Sequence, residues 1–456
     1  MLNIKLSEIA KLFDKKLSYE AVINTVVTDS RKAEKGSLFV GIKGDNMDGN
    51  EFAAKALQNG AEAVLVDRIC EGVDETKAIV VPDTKRALIK IGGLYRSRYS
   101  IPFVGITGSV GKTTTKEFTS VVLAEKYNVH KTQGNQNNEI GVPNTLFALS
   151  DEHEIAVIEM GMSGPGEIRD LTVEVKPCAA IITSVGVSHI EHLGSRENIL
   201  KAKLEITEGM PDGAPLVICG DNDLLSRVTD DRLKVYRFGI TNPECEVKAE
   251  AIEQQGSATK FVITSPWGEY TAVIPLVGQH NVLDALSAFT VGCLMDVEPA
   301  KAAAALSKYV AVGMRQNTVL YNGMTIVEDC YNCSPDSLKA AALALASYPC
   351  SGRRIMVLSD MLELGPDAAE MHRQCGAFIA NQEIDLLIAC GELSKNTVEG
   401  ADRAGMERCC HYETKQQMAQ MVSEAIRPGD VVWFKASRGM YLEEVIKTVM
   451  GKEEKQ

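Results

Sequence analysis

The stretch Val104-Gly-Ile-Thr-Gly-Ser-Val-Gly-Lys-Thr-Thr-Thr115 constrains this chain more than any other. Apolar residues run into it from Ile101 and an amphipathic stretch follows from Lys116 to Tyr127, so its glycines fall where a buried strand turns into a helix. Such a turn holds phosphate. Gly108 and Gly111 let the backbone close around an anion, and the amides of Ser109, Val110 and Thr114 lie where a helix begins. Lys112 adds positive charge, and the Thr113 hydroxyl is a magnesium ligand by type. The full phosphate-loop pattern asks for glycine where Ile106 stands, which leaves the shorter Thr-Gly-x-x-Gly-Lys-Thr-Thr form. A plain strand-to-helix turn would not need Lys112 followed by three threonines, so ATP or GTP is the expected ligand.

A chain of 456 residues exceeds one compact core, and about three domains are expected. Apolar (45%) and charged (24%) contents are those of a globular protein. A formal charge of -13 argues against a nucleic-acid partner, which needs a concentrated basic surface. The first residues interleave charge with apolar side chains and do not read as a signal peptide. No apolar run is long enough to span a bilayer, and a cytoplasmic location is expected. The 12 cysteines are scattered. Cys330 and Cys333 formally fit a redox pair, but without a thioredoxin-like context they read as buried small hydrophobes.

Residues 1–98 read as a small α/β unit. Strands at Val26–Arg31 and Ser37–Ile42 lead to polar residues Ser30 and Arg31 and to the loop from Lys43 through Asp48 to Gly49. These residues suit a diphosphate or sugar and equally suit a solvated turn. A central unit, residues 99–313, continues past the phosphate loop into Thr132-Gln-Gly-Asn-Gln-Asn-Asn138, where Thr132, Asn135 and Asn138 suit a polar substrate or a self-satisfied loop. The strand Ile155–Glu159 ends in a carboxylate, as expected for a residue completing a magnesium site. His189 after the next strand reads as metal ligand, general base or structural residue. A helix over Glu197–Met210 carries Lys201 and Lys203, which read by default as solvated. An exposed amide at Asn281, opening another helix, suits an adenine edge, and Arg315 stands at a domain boundary within reach of a nucleotide. In residues 314–456, strands at Met324–Asp329, Arg354–Leu358, Asp385–Cys390 and Asp430–Phe434 alternate with helical patterns, a doubly wound signature. Asp329, Asp360 and Lys435-Ala-Ser-Arg438 fall at carboxyl ends of these strands. The G-x-G-x-x-G fingerprint is absent, so a nicotinamide or flavin site is unsupported. The tail from Lys452 reads as frayed.

These segments, in this order, resemble the Mur ligases, the ATP-dependent amide-forming enzymes of peptidoglycan precursor synthesis. Thr107–Thr114, Glu159, His189, Ala202-Lys-Leu-Glu-Ile206 and Gly278-x-His-Asn281 carry the general likeness. Thr28-Asp-Ser-Arg31 with Asp48-Gly49, Thr132–Asn138, Asp329-x-Tyr-Asn332 with Ser334-Pro-Asp-Ser337, Asp360-Met-Leu-Glu-Leu-Gly365 and Lys435–Arg438 resemble one branch. That branch joins D-alanyl-D-alanine to UDP-N-acetylmuramoyl-tripeptide. Departures stand at Asn50, Asp284, Ser334, Ser359 and Ala436, of which Asp284, replacing a second asparagine, bears on the adenine contact.

The resemblance implies three α/β domains: a small N-terminal domain for the UDP end, a central phosphate-loop ATPase domain, and a Rossmann-like C-terminal domain that takes the dipeptide and closes on ATP. It implies that Gly108, Ser109, Val110, Gly111, Lys112, Thr113 and Thr114 hold the ATP phosphates, with Asn281, Arg315 and Asp329 on the rest of the nucleotide. Thr113 and Glu159 are implied as ligands of one Mg2+, and His189 and Lys203, the latter as a carbamate, as metal ligands too. Lys112, Glu159, His189 and Lys203 are therefore the catalytic set. Ser30, Arg31, Asp48, Thr132, Asn135, Asn138 and Asn332 are implied as substrate contacts. A monomer is expected, since three domains can enclose the site alone. The rival readings are a sibling ligase, a folylpolyglutamate-type enzyme, or a nucleotide-dependent regulator without ligase chemistry.

Overall fold

The structure is a computed structural model describing residues 1–44 and 46–451; the tail from Lys452, expected to fray, lies outside the described residues. Near the N-terminus, strands Thr25–Val27, Ser37–Val40, Ala63–Val66 and Ala78–Val80 form a parallel sheet in chain order. Its two central strands are entirely buried, as parallel strands covered on both faces must be. The helix Thr84–Arg96 then leads to the second sheet.

That second sheet has nine strands, and its order decides where a site can form. Phe103–Thr107 lies between Ile155–Glu159 and Ala179–Ile182, while Val129–Lys131 lies outside Ile155–Glu159 at the edge. The chain therefore builds first to one side of Phe103–Thr107 and then to the other. A crevice opens at the carboxyl ends of the strands where that reversal occurs. Thr107, Glu159 and Ile182 all end there.

Beyond the parallel strands the sheet continues as an antiparallel meander, Val247–Gln255, Ala258–Ser265 and Gly268–Ile274. Along Ala258–Ser265 exposure alternates, and Phe261 and Ile263 point inward with Phe289 of the helix Gln279–Leu294. This helix also lies against Lys112–Leu123, the helix of the phosphate loop.

The third sheet runs Asn317–Tyr321, Met324–Asp329, Val431–Lys435, Arg354–Leu358, Leu386–Cys390, Cys409–Tyr412. The four expected strands are present, joined by two edge strands without a clear sequence signal. Val431 and Trp433 face one apolar cluster while Val432 and Phe434 face another, so period-2 alternation supplies a core on each side. The N-terminal and central sheets, by contrast, share a continuous core.

Two helices differ from expectation. The loop helix begins at Lys112, four residues before the expected amphipathic stretch, because Gly111 adopts φ +90 and lets the chain turn into it directly. The helix expected over Glu197–Met210 stops at Leu204 and tightens into a 3-10 turn, Glu205–Gly209. Glu205 is drawn aside there, accepting hydrogen bonds from the Gly166 and Arg169 amides at the start of the helix Glu167–Val175.

In the C-terminal unit the helices Ala368–Ala380 and Ser394–Arg403 touch backbone to backbone. A Cβ on Gly400 would sit 2.0 Å from the Arg373 carbonyl oxygen. Gly400→Ala is expected to destabilise the protein by about 1–3 kcal/mol in urea unfolding, since the helices must separate. An unchanged midpoint would show that the contact can yield freely.

Candidate active site

The crevice is a cavity of ≈ 480 Å³ bordered by the phosphate loop, the amide-rich loop, Glu159, His189, Asn281, Arg315 and residues of the C-terminal unit. The loop is braced from the neighbouring strand end. Ser109 N–H donates to the Ser184 carbonyl (2.9 Å), Val110 N–H to Ser184 Oγ (3.0 Å), and Gly186 N–H to Ser109 Oγ (3.0 Å). A Cβ on Gly108 would lie 1.9 Å from Thr183 Oγ1, so only glycine fits under that brace. Lys112 Nζ donates to the Gly108 carbonyl at 2.7 Å, curling the ammonium over the loop.

Glu159 is the centre of the metal-type donor set. Thr113 Oγ1 lies 3.1 Å from Glu159 Oε2, Asn137 Nδ2 donates to Oε1 at 2.7 Å, and Lys116 Nζ approaches Oε2 at 3.7 Å. Thr132 is buried, and its hydroxyl accepts from the Glu159 backbone N–H at 3.0 Å. The substrate contact read for Thr132 thus falls on a residue that fixes the strand end from beneath. Among the described residues no group of three His, Cys, Asp or Glu could hold a metal. A hydroxyl beside a carboxylate at a phosphate loop nevertheless suits Mg2+, which takes few protein oxygens and completes its shell with phosphate and water.

The remaining predicted ligands stand differently. His189 takes a left-handed conformation (φ 61), and its Nδ1 lies 2.7 Å from Glu363 Oε2 of the C-terminal unit. Lys203, read by default as solvated, is 2% exposed. Burial drives its ammonium well below the usual lysine range, and the neighbouring Lys112 adds to the effect. Lys112 is lowered by burial too; Glu159 opposes this and Arg315 reinforces it. Lys201 is exposed, as its default reading holds.

The Asn281 amide, expected to be exposed, is 2% exposed and donates to the Val277 carbonyl (2.7 Å) and Gln316 Oε1 (2.9 Å). Asp284 meets the loop helix, taking a hydrogen bond from Thr115 Oγ1 at 3.1 Å, and burial raises its carboxyl well above the usual range. Arg315 stacks over Tyr331 at 3.9 Å. Asp329 pairs with the buried Lys435 at 2.8 Å, and Lys435 Nζ also reaches the Asn332 carbonyl at 3.3 Å. Asp360, at the end of its own strand, is consumed by Ser394 N–H and Oγ and does not border the cavity.

Asn135 and Asn138 border the cavity, but Ser30, Arg31 and Asp48 do not. Ser30 is buried, Arg31 pairs with Asp29, and Asp48 with Arg68. Asn50, one of the departures, bridges Asp48 Oδ1 and the Asp67 N–H. The sequence reading left four neighbours of the site without a role. Asn137 lay inside the amide-rich run and Glu363 inside the Asp360–Gly365 motif; Lys116 and Gln316 carried no signal beyond adjacency. All cysteines are free, including Cys330 and Cys333.

His280, hydrogen-bonded to Gln316 at 2.6 Å, is lowered to about 4 by burial, with Asp329 opposing and Lys435 reinforcing. Unfolded histidine protonates near pH 6.5, so this site contributes stability that is lost as pH falls from about 6.5 towards 4. His280→Gln is expected to flatten that part of the stability profile in denaturant titrations at stepped pH. Equal slopes for both proteins would overturn the assignment.

Family models match most of the chain: Mur ligase family, catalytic domain over residues 22–91; Mur ligase middle domain over 106–292; and Mur ligase, glutamate ligase domain over 314–438. The chain is 40% identical over 434 residues to the UDP-N-acetylmuramoyl-tripeptide--D-alanyl-D-alanine ligase of Bacillus subtilis (strain 168), covering 94% of each chain. Among solved structures it resembles MurF from Acinetobacter baumannii, with a TM-score of 0.89, 28% identity and 98% of each chain covered. It also resembles MurF ligase from Thermotoga maritima in complex with ADP, with a TM-score of 0.84, 26% identity, and 94% and 97% covered. The three family models and a 40% identical relative together match nearly the whole length, and the chain belongs to the Mur ligase family.

Proposed function

We propose that this protein is an ATP-dependent ligase that joins D-alanyl-D-alanine to UDP-N-acetylmuramoyl-tripeptide, forming the UDP-muramoyl-pentapeptide used for peptidoglycan. The full-length likeness to a ligase named for that reaction carries the reading. The cavity supports it, because its walls unite phosphate loop, carboxylate and C-terminal residues within one chain. That enclosure also supports action as a monomer. Among the described residues no helix is long and apolar enough to cross a membrane, and we place the reaction in the cytoplasm, where both ATP and UDP-linked precursors are at hand.

A carboxylate is a poor electrophile. ATP therefore transfers its γ-phosphoryl group to the terminal carboxylate of the tripeptide, releasing ADP and leaving an acyl phosphate. The dipeptide amine then attacks the acyl carbon, phosphate departs, and the amine loses a proton as the amide forms. The loop amides and Lys112 are assigned to the phosphates, where they act on charge already placed. Arg315 and Asp329 are assigned to the nucleotide and Asn281 to the wall behind it. Asn135 and Asn138 are assigned to the muramoyl peptide, with Ser30, Arg31 and Asp48 further out towards UDP and Asn332 towards the dipeptide.

Thr113 and Glu159 would hold one Mg2+, with His189 and Lys203 serving a second. Bound magnesium would offset the negative charge gathered between phosphate and carboxylate. An ammonium has no lone pair for a metal, so Lys203 must change first. Burial beside Lys112 favours its neutral amine, which can attack carbon dioxide and release a proton, leaving an N-carboxylate with oxygen donors.

Phosphate release from ATP with UDP-muramoyl-tripeptide is expected to require D-alanyl-D-alanine, not D-alanine or L-amino acids, with the matching mass gain in the product. Turnover indifferent to the dipeptide would point to a sibling ligase, and ATP binding without turnover to the regulatory reading. Lys112→Met should lower kcat by about 10²–10³-fold. With ¹³C-bicarbonate, the protein should show a carbamate resonance that is lost in Lys203→Arg. A resonance that survives this substitution would move the modification elsewhere.

A further inference from the structure

Lys116 is a fully buried lysine that the reaction above does not use. It lies on the phosphate-loop helix, and its Nζ stands 3.1 Å from the Gly134 carbonyl oxygen, 3.2 Å from Glu117 Oε1 and 3.7 Å from Glu159 Oε2. Glu117 is in turn paired with Lys131, the residue that leads into the amide-rich loop. Two basic and two acidic side chains therefore meet where the helix, the end of the Glu159 strand and the loop join, all of them buried except the partly exposed Lys131. Buried charges persist only when matched in this way.

The loop itself has little to rest on at that point. Gly134 takes φ +54, and a Cβ there would meet nothing within 4 Å. Its carbonyl is gripped by Lys116, while three residues on Asn137 anchors twice, its carbonyl accepting from Gly161 N–H (2.7 Å) and its amide donating to Glu159 Oε1 (2.7 Å). The loop is thus tied to one carboxylate twice, through Lys116 at Gly134 and directly at Asn137. Asn135 lies between them and Asn138 follows, both bordering the cavity.

We infer that Lys116 is a positioning residue that couples the muramoyl-peptide loop, residues 133–138, to the Glu159 carboxylate. The inference rests on reading that loop as the seat of the muramoyl peptide. In it, Lys116 sets the loop height at which Asn137 meets Glu159, so that peptide seating and carboxylate orientation become one event. Removing the ammonium frees Gly134 and leaves Glu117 and Glu159 short of one positive charge.

Three variants test this. Lys116→Met removes the charge and the tether, Lys116→Arg keeps a cation, and Asn137→Ser cuts the other anchor at a half-buried position that tolerates a smaller side chain. Hydrogen exchange is read for amides of residues 133–138 against those of 117–123, and KM is read separately for the muramoyl peptide and for ATP. Lys116→Met is expected to speed loop exchange by about tenfold or more while the helix stays protected. It should raise the muramoyl-peptide KM by about tenfold or more with the ATP KM within about twofold. Lys116→Arg should recover most of both effects, and Asn137→Ser should reproduce the KM shift.

A lowered Tm and kcat with both KM values unchanged would reduce Lys116 to a structural residue and overturn the coupling. If Lys116→Met does not fold, an unchanged peptide KM and loop exchange in Asn137→Ser overturn it equally. If the wild-type protein does not turn over the muramoyl peptide, the proposed function fails, and loop exchange still decides whether Lys116 holds the loop.

Discussion

Glu159 is 1% exposed, and the site depends on how that carboxylate is held and aimed without water. A buried carboxylate is tolerable only if its oxygens are fully engaged. Thr113 and Lys116 engage them from one helix and Asn137 from a loop, and Thr132 fixes the backbone below. Each segment exists for another structural reason: Thr113 and Lys116 because Gly111 starts a helix, Asn137 because a loop returns from the edge strand. Their convergence is possible because Val129–Lys131 and Phe103–Thr107 flank Ile155–Glu159 in the sheet.

Cations also stand close together at the site: Lys112 and Arg315 border the cavity with Glu159, and Lys203 is buried beside Lys112. Burial and a neighbouring cation push two ammonium groups downward, Lys112 acting on Lys203 and Arg315 on Lys112. Lys435 is treated otherwise: it is equally buried, yet Asp329 at 2.8 Å outweighs burial and raises it. Lys203 is thereby pushed towards its neutral amine and Lys435 held as a cation, the difference lying chiefly in Asp329 beside one and Lys112 beside the other. Lys435 and Asp329 come from adjacent strands in direct register, so forming the sheet brings the pair together.

Much of the fold was legible because local patterns are strong. The buried strand running into glycine, the four apolar strands of the C-terminal unit, and the Ile155–Glu159 strand each carry their signal within a few residues. The antiparallel meander from Val247 to Ile274 was not read, since its strands are half-exposed and rich in Glu, Gln, Lys and Thr. The edge strands Asn317–Tyr321 and Cys409–Tyr412 are equally mixed. Among site residues, most of those in a motif were legible, while Asn137 and Glu363, though inside motifs, and Lys116 and Gln316, outside them, take their roles from groups distant in the chain. Lys203 shows the opposite limit: apart from the family likeness of Ala202–Ile206, its neighbours read like those of any helical lysine, and it is burial that sets it physically apart from exposed Lys201.

The sequence alone determined the chemistry on offer. Gly108, Gly111, Lys112 and Thr113 specify a phosphate turn because glycine geometry, a helix start and a cation are local properties, and Glu159 at a strand end follows from short-range pattern. Tertiary structure decided which groups meet and in what state of charge. Contact between Asn137 and Glu159, between His189 and Glu363, or between Asp284 and Thr115 depends on strand order and on one unit closing over another. Desolvation is likewise a property of the whole enclosure, so the neutral tendency of Lys203 and the firm charge of Lys435 could be settled only once the sheets had assembled around them.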